Sequence, residues 1–185
     1  MNTDKEKWDE RYKLREPPSF EPDPFLQENV ELLSGGLALD LASGYGGNAL
    51  YAARNGYAVH AIDISFQALS ALQREARQHD LDLHYVVADL DHYPLPKDTY
   101  DLVMVFSFYS EQLMGSIESC LKRGGLLVYS TFNHRHTSVK PEFNPVYLVP
   151  PGGLSRFFPN LEIIVDEQYA GDDQNLARLV ARRPQ

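Results

Sequence analysis

The sequence predicts an α/β fold, one doubly wound and mostly parallel sheet of seven strands with a C-terminal antiparallel hairpin, and three observations carry that prediction. From Leu37 to Thr131, short apolar runs alternate with stretches of helical periodicity, the pattern of parallel strands joined by crossover helices. A glycine-rich turn, Ser43-Gly44-Tyr45-Gly46-Gly47, follows the first run directly. Beyond Phe132 the alternation stops, and the runs Leu161–Tyr169 and Asn175–Arg182 are joined through Gly171-Asp172-Asp173, a hairpin signal.

Taken in order, Asp4 to Tyr12 holds good helix formers, with Trp8 and Tyr12 spaced i, i+4 on one face. Glu16 to Pro24 is a proline-dense extended connector. A second helix starts with Asp23 as N-cap and Pro24 in its first turn; Phe25, Leu26, Val30 and Leu33 form its stripe, and Gly35-Gly36 ends it. Both helices are expected to pack against the sheet and over its ligand edge.

Leu37–Leu41 is the first strand, interrupted by Asp40. A helix runs from Asn48 and closes at Gly56, a left-handed C-terminal residue. Ala58–Ile62 is the second strand with Asp63 at its tip, and Ser65 caps a helix to about Gln78 in which Ala68, Leu69, Leu72 and Ala76 repeat at helical spacing. Strands at Leu83–Val87 and Tyr100–Phe106 follow. A helix at Glu111–Leu121 closes on Lys122-Arg123-Gly124-Gly125, and a fifth strand covers Leu126–Thr131. The loop from Phe132 to Pro151 carries four prolines and several aromatics, with a short helix after it near Leu154–Phe158.

The 185 residues, 43% hydrophobic and 23% charged, suit one globular domain. A net charge of −9 argues against a nucleic-acid partner, and the basic cluster Arg178, Arg182 and Arg183 reads as a solvated strand edge. The single Cys120 leaves no internal disulfide and sits as a small apolar residue in a helix. The charged N-terminal stretch is unlike a signal peptide, and no apolar run reaches the roughly 18 residues of a membrane span. A cytoplasmic location and no membrane partner are expected.

In an open α/β sheet, ligands bind outside the carboxyl ends of the strands. The first such end offers the glycine turn and a helix N-terminus, both presenting amides. The second offers Asp63, 19 residues after Gly44, placed to accept hydrogen bonds from ribose hydroxyls. The third offers Asp89 and Leu90 to an exocyclic amine and a ring edge. Together they describe an adenosine pocket. Gly44-x-Gly46-x-x-Ala49 also fits a dinucleotide fingerprint, so a nicotinamide-dependent oxidoreductase stands as an alternative, beside a non-catalytic binding protein. Asp40 inside the strand would crowd a pyrophosphate but could hold a cation, and the terminal hairpin leaves no second half-site.

The motifs ALDLASGYGGNALYAA, Asp63 in AIDIS, Asp89-Leu90 and Leu121-Lys122-Arg123-Gly124-Gly125 resemble, in order, those of the class I S-adenosylmethionine-dependent methyltransferases, with their Rossmann-like sheet. The resemblance covers about residues 37–131. Ala42 stands where glycine is common and Arg123 where proline is common. A narrower likeness, carried by Trp8-Asp9-Glu10-Arg11-Tyr12, Pro24-Phe25-Leu26, Gly47-Asn48-Ala49 and Asn175-Leu176-Ala177-Arg178, is to the small tellurite-resistance-type (TehB-like) methyltransferases. It implies a single domain over 1–185 whose residues 1–34 cover the cofactor. It also implies that Arg11 pairs with the methionine carboxylate and that Tyr12 lines the site. Position 47, often arginine in that group, is glycine here. The cofactor set implied for S-adenosyl-L-methionine is Arg11, Asp40, Ala42, Ser43, Gly44, Gly46, Asn48, Asp63, Ile64, Ser65, Ala88, Asp89, Leu90 and Phe106.

Methyl transfer from a sulfonium is an in-line displacement that needs alignment and no protein nucleophile. Substrate residues are expected beyond the fourth and fifth strands: Ser107, Phe108, Tyr109 and Glu111, then Phe132 to His136. Tyr109, His134 and His136 are the candidate catalytic groups. His134-x-His136 lacks a companion cluster, so no metal site is expected. The 132–160 segment, with Phe143 and Tyr147, is the expected substrate wall. A small-molecule acceptor is expected, a thiol or chalcogen oxyanion among the candidates.

Overall fold

A computed structural model describes residues 3–14 and 18–185; Glu16 and Pro17 of the expected connector lie outside the described residues. The strands form a seven-stranded sheet in the order β3-β2-β1-β4-β5-β7-β6, and the chain divides into two compact units, Met1–Pro94 and Leu95–Gln185. The expected mixed sheet with its closing hairpin is therefore present.

The first unit holds α1 (Thr3–Lys13), α2 (Pro24–Glu28), β1 (Gly36–Leu41), α3 (Gly47–Arg54), β2 (Tyr57–Asp63), α4 (Phe66–Gln78) and β3 (Leu83–Val87). β1 pairs with β2 and β2 with β3, both in parallel, with Asp40 opposite Ala61 and Asp63 opposite Val87. That register brings the carboxyl ends of the three strands into line. Ser65 caps α4 as expected, its Oγ accepting from the Ala68 amide, and Ala68, Leu69, Leu72 and Ala76 are all buried. Asp23 caps α2 by accepting from the Phe25 amide. α2 stops sooner than its stripe implied: the Asn29 side chain donates to the Phe25 carbonyl and closes the helix at Glu28. Phe25 and Leu26 are buried, while Val30 and Leu33, beyond that stop, are only half-buried.

The second unit holds β4 (Tyr100–Phe106), α5 (Met114–Cys120), β5 (Leu121–Phe132), α6 (His136–Val139), β6 (Glu162–Ala170) and β7 (Leu176–Arg182). Three expectations are corrected here. Glu111–Leu113 is a 3₁₀ turn, so the α-helix begins only at Met114. Lys122-Arg123-Gly124-Gly125 is not a turn before the strand but a bulge within β5: pairing to β4 jumps from Leu121 to Leu126, and Gly124 is left-handed at φ 76°. The Gly124 amide donates to the Arg183 carbonyl and the Arg183 amide to the Gly125 carbonyl, which holds the segment in the ladder. The expected helix near Leu154–Phe158 is one 3₁₀ turn, Ser155–Phe157. The basic residues at the C-terminus are drawn into local contacts: Arg178 lies 3.6 Å from Glu167, and Arg183 pairs with Asp98. Cys120 is buried, as its apolar setting implied. Among the described residues no helix is long and apolar enough to cross a membrane.

Candidate cofactor site

The glycine turn after β1 carries three left-handed residues in five positions: Ala42 at φ 54°, Gly44 at 55° and Gly46 at 74°. Glycine adopts such angles freely; alanine does so at a cost. The glycine commonly found at position 42 of related motifs therefore has a conformational reason, and Ala42 carries the strain. Close packing adds a second constraint. A Cβ on Gly44 would stand 2.6 Å from the Tyr12 hydroxyl, and one on Gly46 would stand 2.4 Å from Leu72.

Hydrogen bonds stitch this turn to β2 and β3. The Ser43 amide donates to the Ile62 carbonyl at 3.1 Å, and the Gly44 amide to an Asp63 carboxylate oxygen at 2.8 Å. The other Asp63 oxygen accepts from the Ser65 amide at 2.8 Å, and the Asp63 carbonyl accepts from the Ala88 amide at 3.0 Å. Ser43, Gly44, Asp63, Ile64, Ser65 and Ala88 thus form one bonded constellation. Burial raises the Asp63 pKa, the amides of Ser65, Gly44 and Ile64 pull it back down, and the charge of Asp9 raises it further, with a net upward shift. Asp89 accepts from the Asp91 amide and is half-exposed, and Leu90 beside it is buried.

Asp40 is the chemically unsettled member. It is 1% exposed, and its Oδ2 has no hydrogen-bond partner among the described residues. Burial first, and the nearby Asp63 charge second, push its pKa up to about 8, while the Ala49 amide opposes them. Ser43 Oγ, two residues past the end of β1, is likewise buried without a partner. Buried polar atoms are nearly always bonded, so two without a partner, one in β1 and one in the turn that follows it, stand out. A cation brought to Asp40 Oδ2 would supply its missing partner and favour the ionised carboxylate.

Two expected contacts are engaged elsewhere. Asn48 Oδ1 accepts from the Asp23 amide at 2.8 Å and so anchors the start of α2. Ser65 Oγ donates to Asp9 Oδ1 at 2.6 Å while capping α4. Arg11 is exposed, its guanidinium 4.8 Å above the Trp8 ring. Asp9 and Tyr45 escaped the sequence reading. Asp9 bonds to α4, and the Tyr45 hydroxyl donates to the Tyr12 carbonyl at 2.6 Å. The signal for Asp9 was its i, i+3 spacing from Tyr12, on the face that also carries Trp8; Tyr45, 33 residues from its partner, had none.

In the second unit, Phe106 ends β4 and is buried. Tyr109 donates to Glu111 at 3.3 Å, and burial together with that carboxylate pushes its pKa up to about 12, so the phenol keeps its proton at neutral pH. The His136 ring stacks on Phe132 at 4.0 Å and meets Phe143 edge-on at 4.8 Å. Its Nδ1 lies 3.0 Å from Asn175 Nδ2, and burial lowers its pKa. His136 therefore holds loop to hairpin as a neutral ring. His134 keeps a buried Nδ1 without a partner among the described residues. Among the described residues no group of three or more His, Cys, Asp or Glu gathers at metal-ligand distance.

Known proteins align with this geometry. A methyltransferase-domain family matches residues 38–125, the span from β1 into β5. A malonyl-[acyl-carrier protein] O-methyltransferase from Enterobacter lignolyticus is 35% identical over 100 residues, which is 50% of this chain and 38% of that protein. The chain thus spans well under half the length of the curated relative it matches. Among solved structures, TehB from Haemophilus influenzae superposes with a TM-score of 0.72 at 14% identity, over 95% of this chain and 67% of that one. An S-adenosylmethionine-dependent methyltransferase from Mesorhizobium loti gives 0.68 at 18% identity, over 86% and 98%. At such identities the two structures establish a shared fold.

Proposed function

We propose, from the methyltransferase-domain match over residues 38–125 and the shared fold, that this chain is a class I S-adenosylmethionine-dependent methyltransferase that binds S-adenosyl-L-methionine at the β1–β3 strand ends and transfers its methyl group to a small-molecule acceptor. The observation that carries the reading is Asp40: a carboxyl 1% exposed, with one oxygen unpartnered, behind a turn of left-handed residues.

The residues fit an amino-acid nucleoside. Asp40 Oδ2 and Ser43 Oγ would take the ammonium end, beside a turn whose Gly44 and Gly46 pack closely against Tyr12 and Leu72. Asp63 would accept from ribose hydroxyls through lone pairs its amide donors leave open, since a carboxylate offers about four acceptor sites. Leu90 would supply an apolar edge and Asp89 an acceptor for an exocyclic amine. The cofactor when bound supplies the electrophilic methyl; the chain's residues bind and orient it and exclude water.

A neutral His136 tied to Asn175 and a Tyr109 that holds its proton leave no evident general base among those two. His134, whose buried Nδ1 has no partner among the described residues, is then the remaining candidate base; a thiolate or a chalcogen oxyanion would react without one. The test is calorimetric titration with S-adenosylhomocysteine and with NADH, followed by a labelled-methyl assay over thiols, selenite, tellurite, phenols and amines. Binding of S-adenosylhomocysteine and labelling of a thiol or chalcogen acceptor are expected. Binding of the dinucleotide alone would overturn the reading.

A further inference from the structure

Helix α1 is attached to the first unit in an unusual way. None of its described side chains is buried, and Leu14 just after it is 84% exposed. Apolar burial, the usual glue for a surface helix, is confined to the half-buried rings of Trp8 and Tyr12. Polar bonds take its place. Asp9 Oδ1 accepts from Ser65 Oγ at 2.6 Å and from the Gln67 amide at 3.3 Å, so a side chain of α1 caps α4. Lys5 steadies the other Asp9 oxygen at 2.6 Å. One turn further along, the Tyr12 carbonyl accepts from the Tyr45 hydroxyl, the two rings meet edge-on at 4.9 Å, and the Tyr12 hydroxyl lies over Gly44.

The two anchors close a circuit. Asp9 holds the Ser65 side chain, the Ser65 amide holds Asp63, Asp63 holds the Gly44 amide, and Gly44 packs under Tyr12 of the same helix. We infer that Asp9 is a positioning residue: its bond to Ser65 fastens α1 across the glycine turn and, through the Ser65 backbone, braces Asp63 in the orientation that receives a ligand. This rests on the cofactor site proposed above. A helix held by a few polar bonds can lift and reseat, so release of a ligand seated at the turn is limited by the Asp9 latch, and loss of that latch acts mainly on the off-rate.

The chain carries its own reporter, since Trp8 is the single tryptophan and stacks 5.9 Å from Tyr12 on α1. The experiment compares the wild-type chain with Asp9→Ala, Asp9→Asn and the exposed control Glu10→Gln. It measures acrylamide quenching of Trp8 without ligand, and S-adenosylhomocysteine binding and release by stopped-flow fluorescence, with circular dichroism to verify folding. In Asp9→Ala, quenching is expected to rise at least twofold and the off-rate about tenfold, with the on-rate changed far less. Asp9→Asn, which keeps an acceptor for Ser65, is expected to recover part of the loss, and Glu10→Gln to match wild type. Unchanged quenching and an off-rate within twofold in Asp9→Ala overturn the inference. Should wild type itself fail to bind S-adenosylhomocysteine, the cofactor reading falls, and ligand-free quenching alone upholds or overturns the latch. If Asp9→Ala fails to fold, Asp9→Asn carries the comparison, with an off-rate and quenching equal to wild type counting against the latch.

Discussion

The backbone amide of Gly44 donates to the carboxylate of Asp63 at 2.8 Å, 19 residues away along the chain. The spacing that reads in sequence as turn and ribose acid is in the fold a direct bond, so Asp63 shapes the turn as well as being the proposed ribose acceptor. Asp63→Ala is therefore expected to do two things. It weakens S-adenosylhomocysteine binding by about 1–3 kcal/mol and also lowers stability by about 1–3 kcal/mol, because buried amides lose their acceptor. Calorimetry and denaturant unfolding measure the two effects, and an unchanged midpoint would show that Asp63 does not hold the turn.

Asp40 is expected to make binding depend on pH. Its carboxyl in the folded chain loses its proton near 8, against an ordinary value of 3.8. The folded state then binds more protons than the unfolded one between those values, so Asp40 favours the fold at low pH and this contribution is lost as pH rises toward 8. A cationic ligand end has the opposite preference. Affinity for S-adenosylhomocysteine is expected to rise severalfold from pH 6 to 8 in wild type and to stay flat in Asp40→Asn, close to the wild-type value at pH 6 and below it at pH 8. Parallel pH profiles for the two would remove Asp40 from the site.

Ala42 occupies a glycine conformation, with φ at 54°. Ala42→Gly removes a left-handed strain of about 1–2 kcal/mol while adding backbone freedom to the unfolded chain. A net stabilisation of up to about 1 kcal/mol is expected in urea unfolding; a clear loss would mean the alanine methyl packs usefully.

Gly47 has a spatial reason for its identity. A Cβ there would stand 2.2 Å from the Glu21 carbonyl oxygen, a backbone atom that cannot swing aside. Gly47→Ala is expected to cost about 1–3 kcal/mol, within the range of overpacking. Gly47→Arg, which restores the residue common in the resembling group, is expected to cost at least as much. Thermal melts check both.

His136 is neutral in the fold because burial lowers its pKa. The unfolded chain takes up a proton near 6.5 and the folded chain does so only below that, so stability is lost as pH falls below 6.5. His136→Phe keeps the stacking on Phe132 and removes the titration. It is expected to flatten the fall in melting temperature between pH 7 and 5.5, and an undiminished fall would place the titrating group elsewhere.

The sequence by itself determined most of the architecture and where the candidate site residues fall along it. Hydrophobic periodicity and capping chemistry are local, and so β3, β4, the Ser65-capped α4 and the closing hairpin could be read from residues a few positions apart. Asp40, the glycine turn, Asp63 and Asp89-Leu90 were legible because each sits at a strand end whose chemistry shows in its own neighbourhood. What only the tertiary structure decided depends on groups distant in sequence. The two glycines of β5 bond to Arg183, which draws an apparent turn into the ladder. Gly47 is required by the Glu21 carbonyl, Asn48 is taken by Asp23, and Ser65 by Asp9 across 56 residues. A side chain's bonding capacity is written in its identity, but its partner is whichever group the packed chain brings within about 3 Å.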